Sequence, residues 1–271
     1  MSGIPPRMKL GRVVLALDLS HPPQGHAEAA AALARRFGAE LLALYVDDLD
    51  LIRSAALPFT RELGLFSAAP RPLDPGPTRE AMLRDAERAH RIVEHAALAA
   101  AVDWTFRREE GRMTGELIAR NLQDALLLVP GVRAAEAARD LGPTPARNTP
   151  PRGKDRRPVL VIATGPDFLE RSAELAIHLA ESDRDIALWL LARGADSAEA
   201  RAEPPQDRYA VLGARVRRRR TAYTTLPVAL RSALSQIDPG TIILPGPLAR
   251  QLDEELVPLL RTLRCRLVLL P

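Results

Sequence analysis

Continuous apolar runs alternate with Ala-rich segments at the start of the chain. Val13 to Leu17 is uninterrupted, which is typical of a strand buried on both faces. The segment from about His26 to Phe37 predicts a helix that Gly38 ends, and Leu41 to Val46 predicts a second buried strand. A strand, a helix and a strand of these lengths form a right-handed βαβ unit, so we expect a parallel sheet.

The same pattern returns in the second half of the chain. Val159 to Ala163 and Ile186 to Leu191 are apolar runs, and Asp167 to Ser182 between them has helical spacing. Each copy continues through a strand, a helix and a strand that ends at a Pro-Gly pair, which begins at Pro130 or Pro245. A period longer than the roughly 20 to 50 residues of solenoid repeats indicates a duplicated domain.

Two α/β domains are therefore predicted, each an open, mostly parallel five-stranded sheet flanked by helices. The first spans residues 1–141, and a linker rich in Pro, Arg and Gly spans 142–157. The second, shorter domain spans 158–271 and ends in a fifth strand at Cys265 to Leu270. The first half has no such strand of its own. Either it lacks that edge strand, or Pro158 to Ile162 serves both sheets.

The first half also carries a helical insertion after its second strand. Asp50 to Gly64 is predicted to be helical with a break at Pro58, and a proline-rich loop from Ala68 to Pro77 follows. Thr78 is then predicted to cap a long helix from Arg79 to about Ala101.

Composition narrows the classes of function. The 271 residues are 46% apolar and 4% aromatic, and 38 basic against 34 acidic residues leave a net charge of +4. The small basic excess and the few aromatic residues do not favour a nucleic-acid-binding protein. A single cysteine, Cys265, excludes an internal disulfide and a Cys-based metal cluster. Without a signal-peptide pattern or an apolar run of ~20 residues, we expect a cytoplasmic protein that does not insert into membranes.

A polar pair, Asp18 and Ser20, stands where the first strand ends. These side chains could contact a ribose or a base, or they could cap the loop and helix that follow. The second copy has Thr164 and Gly165 at the corresponding place, so the polar pair belongs to the first copy alone.

Histidines offer two further candidates for chemistry. Residues Pro23 to His26 (PQGH) resemble the HxGH signature of nucleotidyltransferases, with His21 just before them. The first His is Pro here and no lysine-rich partner motif follows, so the alternative is a solvent-exposed loop and helix start. His90 and His95 are five residues apart on a predicted helix and do not share a face, so they do not predict a metal pair.

Arg215 and Arg217 to Arg220 form the sharpest charge run in the chain. It could contact phosphate or an acidic partner, or it could protect an exposed edge strand from aggregation. Arg107 to Glu110 stands at the equivalent place in the first copy and supports the edge-strand interpretation. No arrangement of catalytic residues stands out, so the sequence does not predict an enzyme.

The order of elements resembles that of a tandem universal stress protein. The similarity rests on VVLALDLS, the Ala-rich helix and LLALYVDD at the start of the chain, and on LLRTLRCRLVLLP at its end. It implies open five-stranded α/β domains, of which some bind ATP at the carboxyl edge of the strands and others act through dimers.

The resemblance also implies positions for a nucleotide. Asp18 matches an Asp that contacts adenosine, and Val46 matches a position near the base. Gly131 matches the first glycine of the phosphate motif G-x-x-G-x(9)-G-S/T, but position 134 is Ala and Thr144 falls at the third glycine. Position 145 is Pro, which has no amide to donate to a phosphate. The chain thus resembles a degenerate member of the family.

Three functions are consistent with the sequence. The first is a stress-response or regulatory module that acts as a homodimer or on another protein, without ATP turnover, cofactor or metal. The second is a sensor that binds ATP or AMP in the first domain through Asp18, Ser20, Val46 and Gly131. The third is a degenerate nucleotidyltransferase-type enzyme.

Overall fold

Eleven strands and four helices have defined bounds in the computed structural model. The model describes residues 10–18, 24–57, 59–63, 70–72, 74–111, 120, 125–129, 157–163, 168, 171–172, 175–176, 179, 186–193, 216–223, 226–246 and 265–271. The strands are β1 (Arg12–Asp18), β2 (Glu40–Asp48), β3 (Arg61–Leu63), β4 (Pro70–Pro72), β5 (Trp104–Gly111), β6 (Ala125–Val129), β7 (Val159–Ala163), β8 (Ile186–Arg193), β9 (Val216–Tyr223), β10 (Thr241–Pro245) and β11 (Arg266–Leu270). The helices are α1 (Gln24–Phe37), α2 (Leu49–Ala55), α3 (Pro75–Ala100) and α4 (Leu226–Leu234).

One nine-stranded sheet runs through both halves in the order β5-β2-β1-β6-β11-β10-β7-β8-β9, and β3 and β4 form a separate antiparallel pair. Neighbouring strands of the large sheet are parallel except β6 and β11, which are antiparallel. The prediction of two separate five-stranded sheets is therefore wrong, although the mostly parallel α/β class is confirmed.

The central strand β11 explains why the halves share one sheet. Four strands of the first half lie on one side of it and four of the second half lie on the other. Among its described residues, the first half supplies four strands to this sheet, and an unpaired edge on β6 would leave a row of unsatisfied backbone groups. β11 pairs with β6 and β10 together and so satisfies both edges.

Strand β7 settles the ambiguity over Pro158 to Ile162. It pairs with β8 and β10, so it belongs to the second half and does not serve the first. The predicted linker at 142–157 lies outside the described residues except for Arg157. The domain boundaries therefore stay a prediction.

Helices cover both faces of the sheet, as continuous apolar strands require. On one face, Val13, Leu15 and Leu17 pack with the buried sides of α1 and α3. On the other, Val14 and Ala16 belong to the cluster that contains residues of α4. Among the described residues, no helix combines the length and hydropathy that a membrane crossing requires.

The prediction of a helix from Asp50 to Gly64 is wrong beyond Ala55, where α2 ends, because Arg61–Leu63 form strand β3. Its backbone groups pair with those of β4 and so are satisfied without a helix.

Helix α3 begins earlier than predicted. Asp74, not Thr78, is the N-cap, and its side chain accepts a hydrogen bond of 2.9 Å from the backbone nitrogen of Gly76. The Thr78 hydroxyl instead donates a 2.7 Å hydrogen bond to the Asp74 carbonyl from within the first turn. Proline is compatible with this turn because its missing N–H would have no partner there, so the proline-rich segment did not exclude the helix.

Candidate functional site

Asp18 and Val46 are brought together by the fold. They are register partners at the carboxyl ends of β1 and β2, and Val46 is buried while Asp18 is partly exposed. The strand order reverses at β1, because β2 lies on one side of it and β6 lies on the other. Ligands of open α/β sheets bind at such a topological switch point. Ser20 and Gly131 lie outside the described residues. The role of these four residues in binding a nucleotide stays a prediction.

A partly buried ion pair lies on the opposite face of the sheet from Asp18 and Val46, at the same end of β2. Asp47 is only 1% exposed, and its Oδ2 accepts a hydrogen bond from Nε of Arg108 on the edge strand β5. The Arg108 side chain is 37% exposed, so one side of the pair reaches solvent. The hydrogen bond to Asp47 raises the pKa of the Arg108 guanidinium, which therefore stays charged.

Two polar atoms next to this pair are buried without a hydrogen-bond partner. They are Oδ1 of Asp47 and the hydroxyl oxygen of Tyr45, judged over the described part of the chain. The two residues are two positions apart on β2, so their side chains leave the same face of the sheet. Tyr45 belongs to the core beneath α1 and α3, which places both atoms on that side.

Carboxylates dominate the electrostatic surroundings of Tyr45. Burial raises the pKa of its hydroxyl most strongly, and Asp85, Asp47 and Asp18 raise it further. Arg108 acts in the opposite direction. Three acidic groups and one basic group thus act on a hydroxyl that remains protonated at neutral pH.

Aromatic rings hold the Tyr45 side chain in place. Its ring stacks on Phe106 with centroids 6.4 Å apart. His90 of α3 meets Phe106 and Trp104 edge-on, with centroid distances of 5.0 and 5.2 Å. His90 thus packs against aromatic rings. Across the residues that the structure describes, no three His, Cys, Asp or Glu side chains converge as a metal site.

A second polar cluster joins the same strands at their amino ends. Glu40 at the start of β2 accepts a 3.3 Å hydrogen bond from Arg12 Nε of β1 and a 2.7 Å bond from the Thr105 hydroxyl of β5. Glu40 and Asp47 therefore tie β2 to the edge strand β5 at both ends, which fixes the position of the candidate site.

Sequence reasoning missed Tyr45, Asp47, Asp85 and Arg108. A usable signal was the run YVDD, in which a carboxylate follows a tyrosine on the same face of a buried strand. The partner from β5 had no such signal, because Arg108 reaches Asp47 only through the parallel register of the two strands.

His26 differs from its sequence interpretation as part of a solvent-exposed loop and helix start. Gln24 and Gly25 are exposed, but His26 is only 4% exposed. It follows the helical phase of the buried residues Ala27 and Ala30, which turns it towards the sheet. This burial does not favour a catalytic imidazole, and His21 lies outside the described residues.

Two other interpretations are confirmed. Cys265 is buried, as expected for a structural residue. Arg217 to Arg220 lie on β9, and Arg107 to Glu110 lie on β5; these strands stand at the two ends of the sheet order. Arg215 lies outside the described residues. The edge position of both strands is therefore confirmed, whereas their protection from aggregation by charge stays a prediction.

Comparisons with known proteins give distant similarity to solved structures. No protein-family model and no curated protein matches the chain. Among solved structures, it is similar to a universal stress protein from Archaeoglobus fulgidus DSM 4304, with a TM-score of 0.47 and 11% sequence identity over 95% of each chain.

Proposed function

We propose that this chain is a regulatory module of the universal stress protein type that acts by binding another protein and does not turn over ATP. The observation that supports the proposal is the shared strand β11. Its residues Leu267 to Leu270 are at most 1% exposed, and they join the two halves into one sheet. Two separate copies of such a domain could pair through their edge strands. In this chain, β11 already makes that pairing between the two halves.

The antiparallel junction also separates the two candidate ligand edges. Because β6 and β11 run in opposite directions, the carboxyl ends of the first-half and second-half strands lie on opposite edges of the sheet. The halves therefore do not build one joint site there. A second copy of the chain would bind through a twofold interface, which uses the same surface on both subunits. Because the two halves of this chain differ, we infer that an asymmetric partner protein fits it better than a second copy.

Reconstitution with a captured partner tests this proposal. A protein that co-purifies with the full chain from stressed cells is purified separately and mixed with the chain, and the complex is sized by light scattering. We expect a complex of fixed stoichiometry that forms equally with and without ATP, and no ATP consumption. ATP hydrolysis that is lost in Asp18→Ala, or self-association as the only assembly, would contradict the proposal.

A nucleotide-responsive regulator is the second candidate, and the juxtaposition of Asp18 and Val46 favours it. Thermal unfolding with ATP or AMP tests it, because a ligand at a hundred times its dissociation constant stabilises by about 2.7 kcal/mol. Asp18→Ala should abolish the shift. Asp103→Ala is the matched control, since this exposed Asp precedes β5 at its amino end. If neither nucleotide shifts the unfolding temperature, this candidate is refuted.

A further inference from the structure

Two buried polar atoms of β2 lack a hydrogen-bond partner within the described residues, which suggests that a ligand supplies one. The Tyr45 hydroxyl and Asp47 Oδ1 are buried, lie on one face of the strand, and have no hydrogen-bond partner among the described residues. Buried polar atoms in proteins are nearly always hydrogen-bonded, so two adjacent exceptions are informative. Arg108 already occupies the other carboxylate oxygen of Asp47 and leaves Oδ1 as an acceptor.

The charged groups around these atoms indicate whether the ligand is a cation or an anion. The carboxylates of Asp85 and Asp47 act on the Tyr45 hydroxyl, and Arg108 acts in the opposite direction. Asp18 also acts on it, from the opposite face of the sheet. An acidic excess in a site of low exposure favours a positive charge and disfavours an anion such as phosphate. The two unpaired acceptors supply two oxygen ligands, whereas a typical calcium site has about six to eight. An organic cation therefore fits these atoms better than a metal ion.

We propose that Tyr45 and Asp47 bind the primary ammonium group of a small organic amine. An ammonium carries three N–H donors. One donates to Asp47 Oδ1 and a second donates to the Tyr45 oxygen, which satisfies both buried acceptors. The stack of Tyr45 on Phe106 and the hydrogen bond of Arg108 hold the two acceptors in place before the ligand arrives.

An approach from solvent exists at the same end of the sheet. Asp47 is the penultimate residue of β2, and the neighbouring Arg108 side chain is 37% exposed. In this proposal the amine enters beside Arg108, the solvent-exposed member of the ion pair. This inference is independent of the partner-binding proposal, because a chain can bind an amine with or without a protein partner.

Isothermal titration of the full chain with n-butylammonium tests the proposal. n-Butanol has the same alkyl chain without the charge, and tetramethylammonium has the charge without N–H donors. We expect butylammonium to bind and neither control to do so. Binding of tetramethylammonium as tight as that of butylammonium, or no binding of butylammonium, would overturn the proposal.

Variants separate this site from adventitious binding. Tyr45→Phe keeps the stacked ring and removes only the hydroxyl, and we expect about tenfold weaker binding or more, from the loss of one hydrogen bond to a charged group. Asp47→Asn should weaken binding further, whereas Asp103→Asn, an exposed acid at the other end of β5, should leave it unchanged. Should Asp47→Asn fail to fold, Tyr45→Phe decides, and unchanged affinity in that variant refutes the site.

Discussion

Arg108 on the edge strand β5 is bonded to Asp47 on β2, and the two residues differ sharply in exposure. Asp47 is 1% exposed, whereas the Arg108 side chain is 37% exposed. The ion pair therefore has a buried member without access to water and a member that can turn to water. This asymmetry predicts different costs for removing either side.

Arg108→Met should destabilise the protein by about 3 kcal/mol, because it leaves a buried carboxylate without its counter-charge. Asp47→Asn should cost less, since the freed guanidinium can reach solvent. Urea unfolding at neutral pH measures both.

The exposed pair of Arg84 and Glu80, with atoms 3.4 Å apart on α3, provides the control. Arg84→Met should change the free energy of unfolding by at most about 1 kcal/mol. A larger cost for Asp47→Asn than for Arg108→Met would show that the burial argument is wrong.

Tyr45 predicts a loss of stability in alkali. Its hydroxyl has a pKa raised above the ordinary value of 10.0, mainly by burial, so the unfolded chain releases this proton first. Stability is then fully present below pH ~10 and decreases above it by up to about 1.4 kcal/mol per pH unit. Tyr45→Phe should flatten this decrease in pH-dependent urea unfolding. Tyr223→Phe controls for the loss of one tyrosine, and an equal flattening there would contradict the assignment to Tyr45.

The shared strand predicts that the two halves unfold together. Leu269 of β11 is fully buried, and its register partners are Leu127 on β6 and Leu244 on β10. Leu269→Ala should cost about 2–5 kcal/mol, because it removes packing in both halves.

The two tryptophans report on separate halves, since Trp104 is on β5 and Trp189 is on β8. In the single-tryptophan variants Trp104→Phe and Trp189→Phe, fluorescence unfolding curves should coincide, and Leu269→Ala should shift both equally. Leu98→Ala, at a side chain 67% exposed on α3, should shift neither by more than about 0.5 kcal/mol. A shift confined to Trp189 would indicate that β11 stabilises the second half alone.

At the ends of α1 and α3, removing a glycine and adding one should have opposite effects on stability. Gly38, after α1, has φ +61°, and Ala101, after α3, has φ 51° without the freedom of glycine. Gly38→Ala should destabilise by about 1 kcal/mol, and Ala101→Gly should stabilise by roughly 0.5 kcal/mol, since a Cβ is strained in this region. Thermal unfolding measures both. Gly25→Ala, with no atom within 4 Å of the added Cβ and no positive φ, should not destabilise. Destabilisation by Ala101→Gly would refute this account.

Local patterns in the sequence were sufficient for most of the described elements. The runs at β1, β2, β7 and β10 predicted buried strands, since a strand covered on both faces needs apolar side chains at every position. The helical phase of α1 and its glycine end were also readable, because both depend on residues within a few positions. The start of α3 was wrong by one turn, since prolines there are compatible with a loop and with a first helical turn.

The sequence by itself determined the duplicated βαβ pattern, the charged edge strands and the polar end of β1. The tertiary structure alone decided that β11 serves both halves, that His26 turns inward, and that Arg108 meets Asp47 beside Tyr45. The physical reason is the distance along the chain between the residues that interact. Side-chain periodicity depends on neighbours along the chain, whereas strand order and cross-strand partners depend on which distant backbone groups satisfy each other's hydrogen bonds.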